Sequence, residues 1–145
     1  MTSFERLVRA HVIQTLSRTG TAPTVAETAA STGGTEDAVR SALHALADAH
    51  RLVLVPGTDT VRMAHPFSAV PTDFVVSIGA RRWFANCVWD GLSILALLGD
   101  GTLTTHSPAT REPIELAVTN GTVSGESLVH FLVPARRFWD DIGFT

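Results

Sequence analysis

The apolar residues of this chain change their spacing at a segment with two prolines, residues 65–71, and this change restricts the folds available to it. Before the segment, apolar residues recur every three or four positions, which is typical of amphipathic helices. Beyond it, apolar and polar residues alternate, most clearly over residues 114–118, as they do in half-buried strands. The sequence therefore predicts an α+β chain, with helices mainly in the first half and a sheet mainly in the second.

The first half has the pattern of three helices followed by a hairpin. Thr24 and Glu27 have the spacing of a capping box, which predicts that a helix begins at this point. Two apolar runs, residues 52–55 and 61–64, are separated by a proline–glycine turn and predict two strands. Three helices and a hairpin in this order are typical of a winged helix. We therefore expect residues 1–65 to form a winged-helix-like N-terminal region.

The second half, residues 66–145, is predicted to form a small mixed or antiparallel β-sheet flanked by helices. Asn120 and Gly121 are a strong tight-turn pair between two short strands. The two prolines of residues 65–71 predict an extended connector. Strands are predicted over residues 74–76, 102–106, 114–118, 122–124 and 128–133, and helices over residues 83–98 and 136–141.

The net charge, the number of cysteines and the length of the apolar stretches indicate which partners and which cellular compartment to expect. The chain has 145 residues and a net charge of −3, which gives no electrostatic reason to expect nucleic acid or an anionic membrane as partner. Its single cysteine excludes an intrachain disulfide and favours a reducing, cytoplasmic setting. No apolar stretch is long enough to span a bilayer, and the first residues lack the pattern of a secretion signal.

Cys87 and Asp90 are the candidate chemical groups. If residues 83–98 are helical, the two side chains lie three residues apart on one face and can touch. A nearby carboxylate and burial both raise the pKa of a thiol, so a soft metal cation would be needed to hold the thiolate. A simpler interpretation makes Cys87 a small buried hydrophobe and Asp90 a surface carboxylate or a capping partner.

The order of motifs around this pair resembles that of the organomercurial (alkylmercury) lyase family. The similarity rests on the Cys-x-x-Asp element, Cys87-Val88-Trp89-Asp90, in an aromatic and apolar setting. It continues through residues 94–98, 101–105 and 108–118, and it extends back to residues 63–68, which are similar to the connector between the two regions of the family.

The resemblance implies a function in detoxification. It makes Cys87 the first mercury ligand and Asp90 the proton shuttle to the leaving carbon of an organomercurial, with mercury as substrate and no resident cofactor. The family uses a second cysteine, after a stretch that residues 138–145 resemble, whereas this sequence contains one cysteine. A low-molecular-weight thiol is a candidate second ligand. A homologue with lost or altered chemistry is the alternative.

A protein of a different class is the main rival, namely a metal- or thiol-responsive transcriptional regulator that uses the winged helix. Its third helix would then read DNA, but Glu36, Asp37 and Asp48 would repel phosphate. Residues 1–65 hold six arginines and six acids, so the region has no basic surface. A structural region is therefore expected, with nucleic acid not a partner. The histidines lack close metal-ligand spacing, although His106 is a candidate to face the Cys87 pocket.

Overall fold

Three helices form the N-terminal part of the chain. A computed structural model describes residues 1–131 and 133–142. In it, α1 spans Ser3–Thr19, α2 spans Val25–Thr32 and α3 spans Glu36–Asp48. The predicted capping box is confirmed, because the Thr24 hydroxyl accepts a hydrogen bond from the Glu27 N–H while the Glu27 carboxylate accepts one from the Thr24 N–H.

One antiparallel sheet of eight strands extends through the rest of the structure. Its spatial order is β1-β2-β3-β5-β4-β6-β7-β8, and every neighbouring pair is antiparallel. The mixture of helices and antiparallel sheet confirms the α+β class. The strands are β1 (Val53–Leu54), β2 (Val61–Ala64), β3 (Phe67–Ser68), β4 (Phe74–Ile78), β5 (Arg81–Ala85), β6 (Gly101–His106), β7 (Pro113–Thr119) and β8 (Thr122–Ser124).

The segment predicted to be a connector is part of the sheet. Its strand β3 pairs with β2 on one side and with β5 on the other. Phe67 and Ser68 are both buried, so this short strand also contributes to the core. The sheet therefore crosses the position at which the sequence suggested a boundary between residues 65 and 66, and the division into two domains stays a prediction.

The prediction of a helix over residues 83–98 is wrong for the residues before Val88. Residues Arg81–Ala85 form β5, and the helix α4 begins only at Val88 and ends at Leu98. Trp83 and Ala85 are buried while their neighbours in β5 are less so, which is the alternation of a strand with one face on the core. Because β5 lies between β3 and β4, its short apolar run belongs to a central strand.

The strand predicted over residues 128–133 is also wrong for residues 128–131 and 133, which have no strand structure. These residues follow Gly125, whose φ of 122° turns the chain after β8, and Leu128 is 99% exposed. Leu132, in the same prediction, lies outside the described residues. The last helix was expected over residues 136–141, and a 3₁₀ helix spans Ala135–Asp140.

The predicted turn at Asn120-Gly121 is confirmed. Asn120 has a φ of 50° and Gly121 a φ of 73°, the left-handed pair that a two-residue hairpin requires between β7 and β8. None of the described helices is long and apolar enough to cross a membrane.

Helix α4 packs closely on the sheet, and one glycine permits this close approach. A Cβ atom on Gly91 would lie 2.6 Å from Leu103 Cδ1 and 2.7 Å from its Cδ2. Leu103 lies on β6 and is fully buried, so its side chain has little room to move. The distance between α4 and the sheet therefore depends on the absence of a side chain at position 91.

We expect Gly91→Ala to lower the free energy of unfolding by up to about 2 kcal/mol. Overpacking a dense core costs about 1–3 kcal/mol, and the roughly 1 kcal/mol that alanine gains over glycine within a helix offsets part of that cost. Urea unfolding measures the difference. The matched background is Leu103→Ala, in which the colliding methyl groups are absent and Gly91→Ala should cost nothing further. An equal loss in both backgrounds would contradict the steric explanation.

Candidate thiol–carboxylate site

The junction between β5 and α4 positions Cys87 and Asp90. Cys87 is the N-cap residue of α4, with an extended backbone (φ −154°, ψ −179°), and Asp90 is in the first turn. Sequence reasoning placed both residues within one helix, whereas the structure places Cys87 at its start. The N-cap and third helical positions are still neighbours, as in a capping box, so the two side chains border the same cavity.

The Asp90 carboxylate is buried, and each of its oxygens accepts a hydrogen bond. Its residue is only 5% exposed. His65 Nδ1 lies 2.6 Å from Asp90 Oδ1, and Asn86 Nδ2 donates to Asp90 Oδ2 at 2.8 Å. A buried carboxylate needs such partners, and its place at a helix N-terminus adds favourable interaction with the helix dipole. The Asp90 side chain is therefore held in one orientation at the cavity.

His65 is a site residue that sequence reasoning missed. It lies between β2 and β3, and its side chain is 73% exposed although it contacts the buried Asp90. The hydrogen bond to Asp90 raises the pKa of His65 above its ordinary value of 6.5, while partial burial and the charge of Arg9 oppose the rise. No local motif marks His65, because its contact with Asp90 depends on strand pairing across the sheet.

The Cys87 thiol is half-buried, and its pKa is raised above the ordinary value. Burial raises the pKa of this thiol, and the charge of Asp90 raises it further, while the N–H groups of Asp90 and Trp89 act in the opposite direction. The thiol therefore stays protonated at neutral pH. A cation with high affinity for sulfur can displace a thiol proton of this kind.

Cys87, Asp90 and His65 line a cavity of about 930 Å³. Aromatic side chains form much of its wall. Trp89 stacks on Phe131 with ring centroids 6.4 Å apart, and Trp139 stacks on His50 at 4.2 Å. Cys87 also borders a second cavity of about 490 Å³, and His106 lines this second cavity. His106 therefore shares a cavity with Cys87, but it does not line the one that contains Asp90.

The three tryptophans differ in role. Trp83 is buried in the core, where its indole N–H donates to the carbonyl oxygens of Leu16 and Ser17 on α1. Trp89 and Trp139 are exposed at the cavity instead. Within residues 1–131 and 133–142, no group of three or more histidine, cysteine, aspartate or glutamate side chains could hold a metal ion.

The fold and the site together define an α+β protein in which a thiol and a carboxyl group meet at a helix N-terminus beside a largely apolar cavity. The family model for alkylmercury lyase matches residues 67–144, which is more than half of the chain and includes Cys87 and Asp90. The chain belongs to the alkylmercury lyase family.

The solved structures with a similar fold include the mercury-bound form of MerB2. The two chains are 26% identical with a TM-score of 0.67, and the match covers 86% of this chain. It covers 59% of the MerB2 chain, so the present chain spans less than two thirds of that protein. No curated protein matches the sequence.

The His65–Asp90 pair should make stability depend on pH. The pKa of His65 is raised in the folded state, so the stabilisation is complete below about pH 6.5 and is lost as the pH rises through the raised folded value. We expect His65→Gln to lower the free energy of unfolding by at most about 1 kcal/mol at pH 5.5, because the imidazole is mostly exposed. At pH 9 the difference from wild type should be smaller.

Denaturant unfolding at the two pH values measures this effect. His130→Gln is the control, since that histidine is exposed and lies outside the pair. A loss of stability in His65→Gln that grows with pH would contradict the proposed ion pair.

Proposed function

We propose that this chain is an alkylmercury lyase-like protein that cleaves the carbon–mercury bond of organomercurials by protonolysis. In this proposal Cys87 binds the mercury and Asp90 carries the proton. The observation that carries it is the meeting of a half-buried thiol and a hydrogen-bonded carboxylate at one largely apolar cavity. Membership of the alkylmercury lyase family and the likeness to mercury-bound MerB2 support the same reaction.

The first step is exchange of a mercury ligand. An organomercurial R–Hg–X reacts with the Cys87 thiol to give Cys87–S–Hg–R, and the thiol proton leaves with X as HX. The raised pKa of the thiol does not prevent this step, because the strong sulfur–mercury bond replaces the sulfur–proton bond. The aromatic wall of the cavity provides an apolar surface for R.

The second step breaks the carbon–mercury bond. The His65 imidazolium, whose Nδ1 lies 2.6 Å from Asp90 Oδ1, passes its proton to the Asp90 carboxylate, and solvent can then reprotonate the partly exposed His65. The proton on Asp90 adds to the carbon of R, the carbon–mercury bonding pair forms the new carbon–hydrogen bond, and R–H leaves while mercury(II) remains on sulfur. We propose a low-molecular-weight thiol as the second sulfur ligand, since these 145 residues contain one cysteine.

We further propose that residues 1–65 are a winged-helix-like structural region, with residues 66–145 as the catalytic core. Three helices followed by the antiparallel pair β1–β2 support this description. A role in reading DNA is disfavoured because Arg40 on α3 already pairs with three acids, at 2.7 Å to Glu36, 3.0 Å to Asp37 and 3.3 Å to Asp59. A reducing cytoplasmic location would keep the Cys87 thiol available.

Variants at the two central residues should separate binding from cleavage. Cys87→Ser should abolish stoichiometric mercury binding and protonolysis, because a hydroxyl oxygen is a poor ligand for a soft metal. Asp90→Asn should keep mercury binding and reduce methane release from methylmercury at least about 100-fold, as expected for loss of a general acid. Gas chromatography measures methane, and dialysis with elemental analysis measures bound mercury.

The assays are run with and without added small-molecule thiol. Ser93→Ala is the control on the same helix, where the Ser93 hydroxyl donates to the Trp89 carbonyl oxygen. Mercury affinity unchanged by Cys87→Ser would overturn the binding site. Binding without cleavage under either thiol condition would instead indicate a homologue with lost or altered chemistry.

A further inference from the structure

Two arginines line the same cavity as Cys87 and have no acidic partner. Arg9 comes from α1 and Arg51 comes just before β1. Among residues 1–131 and 133–142, neither side chain forms an ion pair with a carboxylate. Arg9 Nε is buried without a hydrogen-bond partner. Two guanidinium groups that line a cavity without a carboxylate partner are a candidate site for an external anion.

The charges around the cavity do not balance. Asp90 is the one acid among the described residues that line it, and both of its oxygens already accept hydrogen bonds from His65 and Asn86. The hydrogen bond with Asp90 raises the pKa of His65 and the positive charge of Arg9 opposes that rise, so Arg9 lies within electrostatic reach of the pair. The cavity thus holds two guanidinium groups, and its one carboxylate, Asp90, is already paired with other residues.

We propose that Arg9 and Arg51 form an anion subsite that binds the carboxylate of an anionic mercurial while its mercury reaches Cys87. This inference rests on the proposed function and adds the class of substrate to it. Guanidinium groups bind carboxylates through two parallel hydrogen bonds, which fixes the orientation of the bound molecule as well as its position. The aromatic wall then contacts the apolar part of the ligand.

The carboxylate can come from two parts of the substrate. It can belong to the organic group R, or to a small thiol that delivers mercury as R–Hg–S–R′. In the second case the transfer is a balanced exchange, in which the Cys87 sulfur takes R–Hg, the Cys87 proton passes to the departing thiolate, and R′–SH is released. Binding of the R′ carboxylate by the arginines would hold the carrier sulfur beside Cys87 during that exchange.

Matched pairs of mercurials test the subsite. The first pair is 4-(hydroxymercuri)benzoate and phenylmercury, which differ by a carboxylate on R. The second pair is methylmercury complexed with mercaptoacetate and with 2-mercaptoethanol, which differ by a carboxylate on the thiol. The rate of Cys87 labelling, followed by mass spectrometry, serves as a readout independent of turnover, and kcat/KM is measured where cleavage occurs.

We expect Arg9→Gln and Arg51→Gln each to slow reaction of the anionic member about 10-fold or more, as for loss of a charge-assisted hydrogen bond, and to change the neutral member less than about 2-fold. Arg9→Lys should recover part of the loss because it keeps the charge. Higher salt should reduce the preference of wild type for anionic mercurials. Arg82→Gln is the control, since Arg82 is exposed on β5 and does not line the cavity.

The outcomes distinguish the subsite from the function on which it rests. A carboxylate effect in only one pair of mercurials identifies whether R or the carrier thiol supplies the anion. Equal losses for anionic and neutral mercurials, or no loss for either, would overturn the subsite while Cys87 labelling continued. Absence of Cys87 labelling by all four compounds would overturn the proposed function itself. If Arg9→Gln does not fold, the exposed Arg51 carries the same comparison.

Discussion

The pairing of β3 with β5 is the interaction on which the site depends. The register sets Phe67 opposite Ala85 and Ser68 opposite Phe84. His65 lies in the turn between β2 and β3, next to this pairing, and its imidazole contacts Asp90 in the first turn of α4. A short strand of two residues therefore brings a histidine from one half of the chain to the thiol and carboxylate that begin α4.

Burial of the Asp90 carboxylate is energetically unfavourable, but its hydrogen bonds fix the orientation of the side chain. A buried carboxylate is unfavourable unless its oxygens are paired, and Asp90 obtains its partners from two different places in the chain. Asn86 is local, four residues away, whereas His65 arrives only when the sheet has formed. The carboxylate is consequently fixed in the folded state alone. Burial also raises the pKa of the neighbouring Cys87 thiol, which therefore stays protonated at neutral pH.

Local signals in the sequence predicted those features that depend on neighbours along the chain. The Thr24–Glu27 capping box and the Asn120-Gly121 turn each act over a few residues, and both are present. Strand β5 was missed because the apolar run from Trp83 onward fits a helix as well as a buried strand. The role of His65 was missed because it comes from pairing between β3 and β5, which no local spacing encodes.

The charges of the cavity also bear on how a mercurial can approach. In the proposed function, a free R–Hg⁺ cation in the cavity would be repelled by Arg9 and Arg51, which line it together with Cys87 and have no acidic partner among the described residues. A neutral or anionic mercurial, whose charge is already offset by a bound thiolate or carboxylate, meets no such barrier. The stacked rings of Trp89 and Phe131 would offer an apolar surface to the organic group in either case. Under the proposed function, the arginines and the thiol therefore act on different parts of one molecule, and together they would favour mercury that arrives as a complex over mercury that arrives as a bare cation.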